Sequence, residues 1–248
     1  MHVGSAILGM LGGRSYAPNA VNYDGSTTYI TATTLTGMAD SSVGIYSGWH
    51  RMTGRDGATR NFLNFGGGAL SLRFLTTDKL SAVFGNTAGT SICTFESTAT
   101  FTADSLWHHW AIAWNVNFGV GSRIVQVYRD GVAVAGTFVT DTGSAFTVAN
   151  STGGTIFGIE SANTTFFQGG VADTYVNIAA TLDLSVPANL QKFRDSSGFP
   201  VDLGASGQLP TGSSPILFLK NVAASRGTNS GTGGNVTVTG TVTDITGP

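Results

Sequence analysis

The sequence predicts an all-β protein: two antiparallel sheets packed as a jelly-roll β-sandwich, with one short helix and an N-terminal arm. Three observations lead there. Of the 248 residues, 57 are Ser or Thr and 35 are Gly, while only 2 are Glu and 3 are Lys. Exposed helix faces draw on Glu and Lys, whereas Thr, Val and Phe favour strands. Short apolar runs alternate with period two, so each has one face for the core and one polar face. Turn signals separate these runs at strand-like intervals. The apolar content of 41% is enough to fill a core, which rules out disorder for most of the chain. One domain over residues 18–248 suits the length.

Residues 1–17 read as the arm, Gly-rich and without a clean period. Its apolar residues Val3, Ile7, Leu8, Met10 and Leu11 need something to dock on. Alternation begins near Val21. Leu70-Ser71-Leu72-Arg73-Phe74 is one strand, and Trp110 to Val116 is another whose even positions are all large and apolar. Three Asp-Gly pairs mark turns, at 24–25, 56–57 and 130–131. The last divides Ile124–Arg129 from Val132–Ala135 by two residues, as a type I′ hairpin does. A helix is expected from Ser185 to about Arg194, with Ser185 as cap and Pro187 in the first turn. Ile216–Leu219 and Val236–Thr243 are the closing strands.

Composition also excludes functions. The net charge is −2 and no basic block exists, so a nucleic-acid footprint is absent. A lone Cys93 makes no disulfide framework or zinc site. No apolar run reaches the ~18 residues of a membrane span. No Lys or Arg precedes Ala6-Ile7-Leu8, so the expectation is a chain made in the cytoplasm without a secretory signal.

Candidate chemistry is sparse. Hydrolysis of a glycosidic bond needs two flanking carboxylates. Glu96 and Glu160 are the only Glu residues, and neither has a carboxylate two or four positions away. The expectation is therefore no enzyme and no catalytic residue. His108 and His109 are adjacent, so a regular strand sends them to opposite faces and they cannot share an ion; His109 belongs with Ala111 and Ala113, opposite Trp110. The best binding-surface candidates are Trp49, His50, Arg51, Arg55, Asp56 and Arg60, which put an aromatic residue and three Arg on one stretch that can grip a sugar, a carboxylate or another subunit. The alternative is a solvated hairpin with Arg for solubility.

Three stretches resemble the laminin-G-like, concanavalin A-like jelly-roll family. They are Val21-Asn22-Tyr23-Asp24-Gly25-Ser26-Thr27-Thr28-Tyr29-Ile30, then Trp107-His108-His109-Trp110 with the later Tyr128-Arg129-Asp130-Gly131, and Phe167-Gln168-Gly169-Gly170-Val171-Ala172-Asp173. Together they span residues 21 to about 178. The family often carries calcium at an acidic pair on the late strand. Here Ala172 replaces one member, which leaves Asp173 as a weak calcium candidate and the expectation of no cofactor. The C-terminal run from Phe193-Arg194-Asp195 through Gly198-Phe199-Pro200, Gly207-Gln208-Leu209-Pro210 and Arg226-Gly227-Thr228-Asn229 is similar to laminin-G-like proteins of tailed bacteriophages. That resemblance implies a non-enzymatic structural protein of the virion, a head (capsid) decoration or a tail-fibre-associated adhesion module. Its partners would be other virion proteins and copies of itself, as a homotrimer, after assembly in the cytoplasm of a bacterial host. The alternative is a carbohydrate-binding module for a host surface glycan.

Overall fold

The structure is a computed structural model that describes residues 16–32, 35–150, 154–157 and 165–248. Residues 1–15 of the expected arm lie outside the described residues. In chain order the strands are β1 (Ala20–Asp24), β2 (Tyr29–Thr31), β3 (Val43–Met52), β4 (Arg60–Phe65), β5 (Leu70–Phe74), β6 (Lys79–Gly85), β7 (Ser91–Thr100) and β8 (His108–Asn115). They continue as β9 (Ile124–Arg129), β10 (Val132–Ala133), β11 (Gly136–Asp141), β12 (Gly154–Ile156), β13 (Gln168–Asn177), β14 (Leu217–Leu219), β15 (Thr237–Thr239) and β16 (Thr243–Ile245). Helix α1 is Pro187–Leu190.

Two antiparallel sheets form, as the alternation requires. The first runs β10-β9-β8-β3-β13-β1-β16, with β14 also paired to β13. The second runs β11-β7-β6-β5-β4-β12-β2-β15. Between them lies the main core. Trp110, Ile112 and Trp114 of β8 enter it from the first sheet, and Phe62, Leu72, Phe74 and Phe84 meet them from the second. Phe74 and Phe101 both approach the Trp110 ring edge-on, at 5.4 and 4.9 Å between centroids. These aromatic pairs add roughly 0.5–1.5 kcal/mol each beyond the area they bury.

The outer face of the first sheet departs from the expected polar alternation. Ala111 and Ala113 are buried there with Ile45 and Tyr175, under Leu184, Leu190, Phe193 and Leu203. The chain after β13 folds back over that face, and the small alanines let it approach closely. Helix α1 is shorter than expected, and its N-cap is Val186. Ser185 instead donates its hydroxyl to Asp183 Oδ1 at 2.6 Å. Val236–Thr243 is not one strand. It breaks at Gly240, whose φ is +77° and where a Cβ would lie 2.9 Å from the Thr27 carbonyl oxygen, so β15 joins the second sheet and β16 the first. The 130–131 hairpin forms as expected, with φ of 52° at Asp130 and 81° at Gly131, the two positive values of a type I′ turn.

Candidate functional site

The Trp49–Arg60 stretch does not present one binding surface. Strand β3 alternates, so its side chains part. Trp49 lies on the outer face with its ring 5.1 Å from that of His109. His50 points inward, 1% exposed, with Nε2 2.6 Å from the Tyr46 hydroxyl. Burial pushes its pKa down to about 3, so it is a neutral core residue. Arg55 donates to the Gly25 carbonyl at 2.6 Å. Arg60 is the least expected: its side chain is fully buried and paired to Asp56 at 2.9 Å and Asp78 at 2.6 Å.

Three of these residues share a different task. Arg60 donates to the Phe101 carbonyl at 3.1 Å, Asp56 accepts the Ala103 amide at 2.9 Å, and Arg51 Nε donates to the Ser105 carbonyl at 2.9 Å. They pin the backbone of residues 101–105, the connection that carries Phe101 and Asp104.

That connection leads to the candidate site. A groove of about 460 Å³ lies where the chain crosses from β10 in the first sheet to β11 in the second. The Thr98 amide bonds the Ala135 carbonyl at 2.8 Å and closes one end of the crossing. Phe101 and the segment Val132–Ala135 give the groove apolar walls, and Arg129 supplies a cation. The Arg129 guanidinium sits 5.3 Å from the centre of the Phe101 ring and 5.8 Å from Trp110, a cation–π stack that fixes its plane.

Beside the groove, four polar groups converge. His108 Nδ1 lies 2.6 Å from Asp130 Oδ2, and its Nε2 lies 2.8 Å from Asp104 Oδ2. Arg129 donates to the same Asp104 oxygen at 3.2 Å. Asp130 is further held by the His109 amide at 2.9 Å. Burial opposes charge on His108, but the bonds to Asp130 and Asp104 win and raise its pKa. Burial likewise works against charge on both carboxyls. The Leu106 amide and His108 nonetheless pull Asp104 down, and His108 and the His109 amide pull Asp130 down. The cluster is an aspartate–histidine–aspartate bridge with Arg129 on its flank.

The local sequence pattern does not single out Asp104 or His108. One signal was present. If the Trp107–Trp110 strand pairs with the strand ending in Asp130-Gly131, Trp110 stands opposite Arg129 and Asp130 falls beside the histidines, as observed.

Asp173 lies apart from the groove. It is 3% exposed, has φ of 45°, and sits where β13 exchanges β1 for β14 as a neighbour. Its Oδ1 accepts the Tyr16 hydroxyl at 3.1 Å and its Oδ2 has no partner. Burial pushes its pKa up to about 7; the Tyr16 hydrogen bond and Arg226 and Lys220 offset this in part, while Asp202 adds to it. Calcium needs several charged or carbonyl oxygens turned to one point. Ala172 offers only a methyl group, packed with Ala20 and Trp49, so these residues do not fit the ion. Among the described residues no three His, Cys, Asp or Glu side chains come together to hold a metal.

A family model described as the concanavalin A-like lectin/glucanases superfamily matches residues 24–183, more than half of the chain. The chain belongs to this family. No curated protein matches the sequence significantly. Among solved structures, a candidate carbohydrate-binding protein from Bacteroides ovatus is similar, with a TM-score of 0.61 and 16% identity. The similarity covers 93% of this chain but 60% of that one, so this chain spans about three fifths of the Bacteroides protein. The SAP-like pentraxin of Limulus polyphemus follows at a TM-score of 0.47 and 12% identity, over 68% of this chain and 79% of that one. Mouse laminin α1 domains LG4-5 give a TM-score of 0.45 and 15% identity, over 67% and 43% of the two chains.

Proposed function

We propose that this member of the concanavalin A-like lectin/glucanases superfamily is a non-catalytic carbohydrate-binding module that takes a glycan in the groove between Phe101 and the β9–β10 hairpin. The single observation that carries the reading is the groove itself. Apolar walls for the C–H face of a sugar ring stand next to Arg129 and Asp104, which can bond hydroxyls at its rim. The family description and the Bacteroides protein's description as a candidate carbohydrate binder support the same class.

Among the described residues, the two carboxyl groups beside the groove are not set for hydrolysis. A glycosidase acid must hold a proton at neutral pH. Asp104 and Asp130 are both shifted the other way, toward the ionised form. Glu96 stands in register with Ser81 and Thr137, so neither flanking strand sets a carboxylate opposite it. Glu160 lies outside the described residues.

A glycan array tests the reading. The wild type should bind at least one class of sugar, and Val132→Glu, which places a charge at a 70% exposed position on the groove wall, should lose that binding while remaining folded. Equal binding by both proteins, or none by either, would overturn it. Release of reducing sugar from the bound glycan would replace binding with hydrolysis.

A second reading is a virion component, a head decoration or tail-associated module that forms a homotrimer with copies of itself and meets other particle proteins. The observation that favours it is the edge strand β11, where Phe138 and Val139 are 36% and 54% exposed. Open apolar edges pair with other chains unless something covers them. Light scattering should then give a trimer that Val139→Lys dissociates.

A further inference from the structure

On the other side of the Asp130–Gly131 turn from the groove is a smaller cavity of about 130 Å³, between the hairpin and α1. That is well beyond the ~15 Å³ that admits a single water. Two side chains on its wall have unused donors.

His109 is wholly buried, and its ring is held between Trp49 at 5.1 Å and Phe193 at 6.5 Å. Its Nε2 lies 2.9 Å from the Ser47 hydroxyl, and its Nδ1 has no partner. Burial keeps the ring neutral, so it carries one proton. Where the Ser47 hydroxyl donates to Nε2, that proton sits on Nδ1, the ring nitrogen without a partner.

Arg194 also lines the cavity, and its Nε has no partner. Among the described residues it forms no ion pair. Asp195 lines the cavity too but forms no ion pair with Arg194; its Oδ1 turns to its own loop and accepts the Ser197 and Phe199 amides at 2.9 and 2.8 Å. Two glycines frame the guanidinium. A Cβ on Gly131 would lie 3.1 Å from Nη1, and one on Gly198 would lie 2.7 Å from Nη2. Bare backbone on both sides thus leaves the planar fork a slot at the cavity wall.

We propose that this cavity binds a carboxylate-bearing ligand, with the Arg194 fork holding the two oxygens and His109 Nδ1–H as an additional donor. A planar carboxylate matches the guanidinium bidentately, which a spherical anion does not. Such a group comes from a small free acid or from the acid group of a uronic sugar. The site is separate from the groove and does not depend on the glycan reading.

Calorimetric titration at fixed ionic strength tests the proposal, with acetate, D-glucuronate, glucose and inorganic phosphate as separate probes. Acetate or glucuronate should bind saturably and glucose should not. Binding of glucuronate alone assigns a sugar acid, and equal binding of both assigns a small free acid. Arg194→Gln should weaken the carboxylate by about tenfold or more, and Arg194→Lys, which keeps the charge but not the fork, should fall between. Near-UV circular dichroism checks that each variant is folded. A change in the His109 ¹⁵Nδ1 shift on binding is a readout that a purely structural Arg194 would not produce. Binding of phosphate in preference to both acids would overturn the carboxylate assignment. No saturation by any probe would overturn the site.

Discussion

Replacing Asp173 with Asn should stabilise the protein, and the gain should grow with pH. The carboxyl is 3% exposed and has one bonded oxygen and one orphan. Its pKa rises from 3.8 to about 7 on folding, chiefly through burial. A raised acid pKa means that the folded state binds the proton more tightly than the unfolded chain does. Stability therefore falls as pH climbs from about 4 to about 7, where the unfolded chain has lost the proton and the folded chain still holds it. Three units at ~1.36 kcal/mol each give an upper limit of about 4 kcal/mol. Asn removes that penalty, accepts the Tyr16 hydroxyl in the same way, and tolerates the positive φ of 45° at this position. For a chain of this length each kcal/mol moves Tm by roughly 2–4 °C, so the shift at pH 8 is up to about 8–16 °C. Urea unfolding of both proteins from about pH 4 to pH 8 measures it. The two curves should meet near pH 4 and diverge above it. A pH-independent difference, or a variant less stable at pH 8, would refute the reasoning.

Three further outcomes follow from particular contacts. Arg60→Leu should cost about 3 kcal/mol, the low end for breaking a buried pair, because Asp56 still reaches solvent; hydrogen exchange at the Ala103 amide should quicken as residues 101–105 loosen. Wild type should exceed His108→Asn in stability fully below the ordinary imidazole value of 6.5 and lose that margin as pH rises through the higher folded value, which a series of melts across that range reads directly. Gly44→Ala should destabilise by roughly 1–3 kcal/mol, since its Cβ would come within 2.1 Å of the Trp114 ring, and Tm reports it.

The parts of the fold that depend on local pattern were legible in the sequence. Trp110, Ile112 and Trp114 announced the core face of β8, and Asp130-Gly131 announced the hairpin. Burial of Ala111 and Ala113 was not legible, because what covers them is the chain around Leu184 to Leu203, some seventy or more positions later. The Trp49–Arg60 stretch was misleading for a related reason. Arg beside Asp-Gly reads as a solvated loop, but Arg60 finds Asp78 and the Phe101 carbonyl, partners 18 and 41 residues away. The groove was half legible: both of its strands were recognised as a pair, yet Asp104 reaches His108 only through the connection that Arg51, Asp56 and Arg60 pin down. The break at Gly240 needed the close approach of Thr27, which no run of alternating Val and Thr reveals.

The proposed occupant of the groove beside the β9–β10 hairpin is a glycan. Methyl NMR of Val- and Ala-labelled protein, titrated with the strongest oligosaccharide from the array, tests it most directly. Saturable shifts should concentrate on the methyls of Val132, Ala133, Val134 and Ala135, which line the groove, while those of Ala111 and Ala113 under α1 stay still. Shifts that leave the hairpin untouched and gather on another face would contradict the account.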